Sequence, residues 1–335
     1  MRASDPISIR RELTRPGELV PGLAGKPFYT EVNWAAHALY LSTLCTPMHP
    51  LEKVFTRPDR PCGTTPETSP ARYAYVVLFT PRSGSSLLTE LCGRTGVLGY
   101  PGEIFRARSM YNPDTGGGNF LKLPSQTIDA YADAARRWFK SEADVFGFQA
   151  TASQIRPLLD SGSWWRLFPD LRYCMLTRQD IVAQAVSLYL MNISGVAHSS
   201  SGNTVSEWDR YSGAQYNASA IYRWIRHVFN MEWLMERHFS NTDALRITYE
   251  EFVADKGNIL KRLARHVGVE LEGLPDMRST EHQKLGHTRN AEWAARFRSE
   301  NREVVSVIEA DRGQQRIQEI ERRLPGGLGG LLPGL

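Results

Sequence analysis

Short apolar runs alternate with amphipathic segments through the middle of the chain. The runs Tyr73–Thr80, Val145–Ala150, Tyr173–Thr177 and Ala244–Thr248 are apolar or β-rich and too short for helices, so they predict strands. Between and after them, apolar residues recur at helical spacing over Ser85–Thr95, Gln126–Ser141, Ala152–Leu159, Ile181–Met191, Ala218–His238 and Tyr249–His266. Such alternation predicts an α/β fold, a parallel sheet with helices on both faces, with ligands at the carboxyl ends of the strands. The flanks read differently. Residues 1–70 are irregular, with one helical patch over Trp34–Leu44 and a proline-rich linker over Thr56–Pro70. From about residue 275 a polar, basic stretch precedes a helix-like segment, Arg302–Arg323, and a Gly/Pro-rich tail. The expected organisation is an N-terminal extension over 1–70, one domain over 71–300, and a C-terminal helix and tail over 301–335.

The junction between the first strand and the first helix carries the most chemistry. It reads Thr80-Pro81-Arg82-Ser83-Gly84-Ser85-Ser86, small hydroxyl residues around one glycine with an arginine beside them. The first N–H groups of a helix have no intrahelical acceptor, and the helix dipole adds partial positive charge there. A strand, a tight loop and a helix start therefore form an anion cradle, with Arg82 supplying a bidentate cation. The loop is not a Walker A sequence: neither the first glycine nor the lysine is present. It is not a nucleophile elbow either, because no glycines flank Ser83 or Ser85 in the G-x-S-x-G manner. Arg178 stands at the end of the Tyr173–Thr177 strand, Asp180 can cap the next helix, and Ser187 lies on that helix; from these residues alone an anion site and a surface ion pair with a merely packed serine are equally open.

The loop TPRSGSSLL resembles the 5′-phosphosulfate-binding loop of sulfotransferases. It is most similar to that of the bacterial trehalose 2-sulfotransferase-like family, which carries P-R-S-G-[ST]-x-L-L. A T-G-V turn follows at Thr95-Gly96-Val97, then a segment ending Pro101-Gly102-Glu103-Ile104-Phe105, and a second block over Arg178–Leu188. A third, weaker block is Glu292-Trp293, and the ordered blocks span about residues 72–300. The resemblance implies a P-loop-NTPase-like sulfotransferase fold and 3′-phosphoadenosine 5′-phosphosulfate as donor. It assigns Thr80, Pro81, Arg82, Ser83, Gly84, Ser85 and Ser86 to the 5′ end of the donor and Arg178 and Ser187 to its 3′-phosphate. It implies that a late loop around Lys284, His287, Thr288 and Arg289 closes over the nucleotide. Glu103 is the implied base, with Arg82 beside the transferred group and His198 a reserve candidate base. The implied acceptor is a small molecule bearing a hydroxyl, a carbohydrate or glycolipid, and a homodimer is compatible with the family. Departures fall on the acceptor side. Gln149 stands where the family often has lysine, Tyr100 where the trehalose enzyme has a carboxylate, and the Q-T-R-x-W pattern after Ser187 is missing. Trehalose itself is therefore not the expected acceptor.

Composition narrows the remaining classes. The chain has 335 residues, 41% hydrophobic and 23% charged, with net charge +4, which fits a globular protein and does not call for nucleic acid. No apolar stretch of about 18 residues occurs, so no transmembrane helix is expected. The N-terminus has no apolar signal core, so the expected location is cytoplasmic. The four cysteines and eight histidines show no metal-ligand spacing, and Cys92 and Cys174 read as buried thiols. No metal is expected. Trp164, Trp165 and Trp224 read as core residues before pocket residues. Tyr249-Glu250 resembles a pair found after a late strand in many sulfotransferases, which implies a structural cap or tether rather than a catalytic role. Two other functions stay open at this level. A P-loop-type nucleotide-dependent kinase would depend on magnesium. A non-catalytic nucleotide-binding protein would show no turnover with any acceptor.

Overall fold

The computed structural model describes residues 67–106, 127–194, 213–277 and 288–311. The helical patch Trp34–Leu44, most of the linker, Lys284, His287, His198 and the Gly/Pro-rich tail lie outside these residues.

Strand β1 (Tyr73–Phe79) pairs in parallel with β2 (Val145–Ala150) on one side and β3 (Leu171–Thr177) on the other, and β3 pairs with β4 (Ala244–Thr248). The sheet order is β2-β1-β3-β4. The chain steps from β1 out to β2 and then crosses back to β3, so its direction of progress reverses beside β1. Ligands of open α/β sheets collect at such a reversal, at the carboxyl ends of the strands. Residues Ala74 to Phe79 are all buried because β1 is covered on both faces, which explains its unbroken apolar sequence. At the edge, β4 exposes Arg246, which pairs with Glu236, and a charged side chain at an edge discourages further strand pairing.

Alternation along the strands sorts residues into two layers. Val77, Phe79, Val145, Cys174 and Leu176 face helices α1 (Ser85–Arg94) and α8 (Lys256–Val267). Val76, Leu78, Phe146, Phe148 and Met175 face α2 (Ile128–Trp138), α3 (Ala152–Asp160), α4 (Ser163–Leu167) and the end of α6 (Ala218–Phe239). Helices α5 (Ile181–Ser194), α6, α9 (Thr288–Glu300) and α10 (Arg302–Asp311) share a further apolar cluster. Val304, Val305 and Ile308 of α10 are buried in it, so α10 packs with the body of the domain.

One close approach inside the sheet guides the chain toward the carboxyl edge. A Cβ on Gly147 would lie 2.5 Å from the Tyr75 ring, so the tyrosine occupies the space a side chain would need. The Tyr75 hydroxyl then donates to Leu98 O at 3.0 Å and fixes the turn after α1.

The strands lie where the sequence places them, except that β1 ends one residue earlier, at Phe79, and β3 begins earlier, at Leu171. The helices differ in instructive ways. The expected helix Tyr249–His266 is two helices, α7 (Tyr249–Ala254) and α8, broken at Asp255. Asp255 adopts φ −145° and ψ 79° and accepts from Asn258 N at 2.9 Å, so an N-cap interrupts an otherwise helical pattern. Helix α4 is too short for periodicity to reveal. Helix α9 occupies part of the stretch expected as a loop. Its apolar face consists of Trp293, Ala294 and Phe297 among charged residues, a weak signal in sequence.

Candidate active site

The loop after β1 is shaped by two backbone conformations that side chains disfavour. Arg82 has φ 67° and Gly84 has φ 88°. A Cβ on Gly84 would also meet the Tyr249 ring at 2.7 Å, so glycine is required there for two separate reasons. The turn closes through Ser83 N donating to Thr80 O at 3.2 Å. Gln184, fully buried on α5, donates from Nε2 to Thr80 Oγ1 at 2.9 Å and to Pro81 O at 2.8 Å, clamping the start of the loop. Helix α1 then begins without any side-chain cap on its first N–H groups. Ser83 Oγ is buried and has no hydrogen-bond partner. Ser85 is buried, while Pro81 and Ser86 are half-buried at the rim.

The end of β3 lies next to this loop. Arg82 Nε donates to Ser187 Oγ at 2.9 Å, and Arg178 Nη1 lies 3.5 Å from Arg82 O. The two expected anion sites are thus one continuous surface. The Arg178 guanidinium sits 4.9 Å from the centre of the Tyr249 ring, the same ring that touches Gly84. Its Nε is buried without a hydrogen-bond partner, and the nearest carboxylate, Glu250 Oε1, is 4.0 Å away. Glu250 is occupied elsewhere: it accepts from Gln179 N at 2.9 Å and from Asp180 N at 3.2 Å. Glu250 thus ties the start of α5 to the end of β4, the structural role the resemblance implies for the pair, while the Tyr249 ring packs beside Gly84 and Arg178. Asp180 caps α5 by accepting from Ala183 N at 2.8 Å and also receives Arg298 of α9.

Glu103 stands two strands away from β1, on the outer side of β2. Gly102 forms an isolated parallel bridge with Phe148 and accepts from Gln149 N at 3.0 Å, so the segment extends the sheet by one step. Strands lie about 4.8 Å apart, which puts Glu103 roughly 10 Å across the sheet from the β1 line. Its backbone is pinned on both sides. The Tyr131 hydroxyl donates to Ile104 O, and the Phe105 ring packs against Phe148 at 5.6 Å and Trp164 at 6.2 Å. Gln154 Nε2 donates to Glu103 Oε2 at 2.8 Å, and Arg106 lies 4.0 Å from Oε1.

Other expected residues fall in several places. Thr288 and Arg289 are in the first turn of helix α9 rather than in a loop, because the apolar face of that helix packs against α5, with Trp293 5.8 Å from Tyr189. The Arg289 guanidinium lies 5.9 Å from the Trp293 ring. Gln149 is buried beside the loop strand, in register with Val77, and its Oε1 has no partner. Tyr100 lies over Gly93 in the last turn of α1, away from the loop. Trp164 is fully buried in the aromatic cluster and Trp224 packs against the α5–α6 cluster, but Trp165 is 44% exposed and touches Tyr173 and Phe239 from outside. Reading the sequence assigned no role to Gln184 or Gln154. Only the spacing Thr151-x-x-Gln154, a helix-capping signature, pointed to the latter's orientation.

With this geometry in place, comparison supplies the class. The chain belongs to the Stf0 sulphotransferase family, whose model matches residues 74–300 and includes both loops, Glu103 and Arg289. No curated protein matches the chain significantly. Among solved structures, a sulfotransferase from Alicyclobacillus acidocaldarius is similar at 17% identity over 72% of this chain and 95% of that one, with a TM-score of 0.42. A sulfotransferase domain from the curacin biosynthetic pathway is similar at 16% identity over 67% and 83%, with a TM-score of 0.40. A sulfotransferase domain from a Synechococcus olefin synthase is similar at 18% identity over 71% and 91%, with a TM-score of 0.40. Among the described residues no helix is long and apolar enough to cross a membrane.

Proposed function

We propose that this Stf0 sulphotransferase takes a sulfuryl group from 3′-phosphoadenosine 5′-phosphosulfate and passes it to a hydroxyl of a carbohydrate or glycolipid. One observation carries the donor reading: two cationic anion sites, after β1 and after β3, meet through the 2.9 Å Arg82–Ser187 bond. A nucleotide with phosphate at both its 5′ and 3′ ends needs two such sites, whereas a donor phosphorylated at one end needs one. The buried, unpartnered Ser83 Oγ and Arg178 Nε fit this reading, since a bound ligand is one way in which such atoms find partners. The acceptor class rests on the resemblance of the loop and of the segment ending in Glu103.

The proposed roles are those the resemblance implies, and the arrangement described above is compatible with them. The loop N–H groups, Ser83 and Arg82 hold the 5′ end, while Arg178 and Ser187 hold the 3′-phosphate. The acceptor oxygen attacks sulfur in line, the bond from sulfur to the bridging oxygen breaks, and that oxygen's growing negative charge faces Arg82 and the start of α1. Glu103 takes the proton from the acceptor hydroxyl. Guanidinium groups and backbone donors perform the neutralisation, so the mechanism calls for no metal. Calorimetry with 3′-phosphoadenosine 5′-phosphate and adenosine 5′-phosphate tests the donor assignment. The first should bind roughly ten- to a hundredfold more tightly, since hydrogen bonds to charged groups contribute about 1.5–3 kcal/mol. Equal affinities would remove the 3′-phosphate site. Transfer of labelled sulfate to sugars, glycolipids, phenols and alcohols then identifies the acceptor class.

A further inference from the structure

Thr151 and Gln154 open helix α3 as a reciprocal pair. Gln154 N donates to Thr151 Oγ1 at 3.3 Å, and Thr151 N donates to Gln154 Oε1 at 2.8 Å. A capping box uses only an acceptor oxygen on the third residue, so glutamate and glutamine serve equally. Here the other end of the carboxamide is engaged as well, because Nε2 donates to Glu103 Oε2 at 2.8 Å. A glutamate at 154 would cap the helix but would set a second carboxylate against Glu103. The amide thus does something that capping does not require.

On the reading of Glu103 as the base, we infer that Gln154 is its positioning residue. The bond from Thr151 N fixes the plane of the carboxamide, and that plane aims the Nε2 hydrogen. With Oε2 held by the amide, Oε1 is the oxygen that takes the acceptor's proton. Among the described residues, the ion-pair neighbour of Oε1 is Arg106, 4.0 Å away. The backbone around Glu103 is fixed independently through Gly102, Ile104 and Phe105, so what Gln154 restrains is the side chain, the rotation of its carboxylate included.

The substitution Gln154→Glu separates capping from positioning, because it keeps the cap while replacing the donor with a like charge that pushes the Glu103 carboxylate away. Turnover, measured with labelled 3′-phosphoadenosine 5′-phosphosulfate on the acceptor that the screen finds fastest, should fall roughly ten- to a hundredfold, as expected for one hydrogen bond to a charged group. The acceptor KM, the affinity for 3′-phosphoadenosine 5′-phosphate and the thermal midpoint should stay near wild type. Wild-type turnover in Gln154→Glu overturns the inference, and so does a loss shared equally by nucleotide affinity or midpoint, which marks a structural role. Glu103→Gln keeps the two readings apart. If that variant turns over normally, the base assignment fails. If it is slow while Gln154→Glu is normal, only the positioning role fails. The contact is also checked without any acceptor, by thermal midpoints of Glu103→Ala, Gln154→Ala and the double variant. Coupled residues give non-additive shifts, and additive shifts overturn the contact.

Discussion

At the ends of β1 and β3, side chains from distant parts of the chain hold one another: Gln184 clamps Thr80 and Pro81, Arg82 reaches Ser187, and the Tyr249 ring touches both Gly84 and Arg178. Yet this tightly tied region leaves Ser83 Oγ and Arg178 Nε buried without partners. The region around Glu103 is tied differently, although Gln149 beside it also keeps a buried oxygen, Oε1, without a partner. Its carboxylate is satisfied by one carboxamide, and its backbone is pinned by ordinary sheet and aromatic contacts. An unsatisfied buried polar group costs about 1–3 kcal/mol, and under the proposed function a bound donor would offset that cost in the first region. The second holds a single group still. The contrast matches a division of labour in which one half binds a charged donor and the other meets the acceptor.

The largest effect expected from breaking this contrast is on the Glu103 side. Glu103→Gln should slow turnover by roughly 10²–10⁴-fold while leaving affinity for 3′-phosphoadenosine 5′-phosphate unchanged. Near-normal turnover would make His198 the next residue to test. On the donor side the pattern should invert. Arg178→Ala should weaken binding of the 3′-phosphorylated nucleotide by roughly ten- to a hundredfold and leave adenosine 5′-phosphate little changed, whereas Arg82→Ala should weaken both. Titration calorimetry of the two variants with the two nucleotides decides it, and equal losses for Arg178→Ala would cancel its assigned role.

A smaller effect should come from the loop's shape. Gly84→Ala places a side chain at φ 88° and against Tyr249, and the left-handed backbone alone costs about 1–2 kcal/mol. About a tenfold loss of nucleotide affinity is expected, together with a lower thermal midpoint. An alanine variant that binds and melts like wild type would show that the loop is not held by Tyr249. The smallest effect is expected beneath both regions. Burial holds the Cys92 thiol up to about 12 from 9.0, and pushes Cys174 up as well. Neither should be alkylated in the native protein at pH 8, as read by mass spectrometry. The sign with pH follows. Above about 9 the unfolded Cys92 ionises while the folded one stays protonated, so stability falls as pH climbs from about 9 toward 12 and is intact below. A flat melting profile across that window would contradict the burial of this thiol.

The strands were legible in the sequence because β1 to β4 are short apolar or β-rich runs, and the loop because Ser83-Gly84-Ser85 ends one of them. Asp180 was legible as a cap because capping is local. What stayed hidden depends on contacts across the fold. Gln184 reaches Thr80 over 104 residues and Arg82 reaches Ser187 over 105. Nothing in local periodicity encodes such pairings. Asp255 misled the reading for a different reason: the apolar spacing continues through it, and only its side chain's preference for the cap breaks the helix. Thr288 and Arg289 looked like a loop because charge on α9 outweighs its narrow buried stripe.

The packing of Tyr75 against Gly147 has an evolutionary consequence. The two positions are neighbours on adjacent strands, and one holds the volume the other lacks. Enlarging residue 147 first would drive atoms into the ring, and shrinking residue 75 first would open a cavity and release the Leu98 turn. Either first step is penalised, so a change at one position is expected to require a change at the other. A lineage that changed it would pass through a weakened intermediate, and the segment leading from Leu98 to Glu103 would have to find a new anchor along the way.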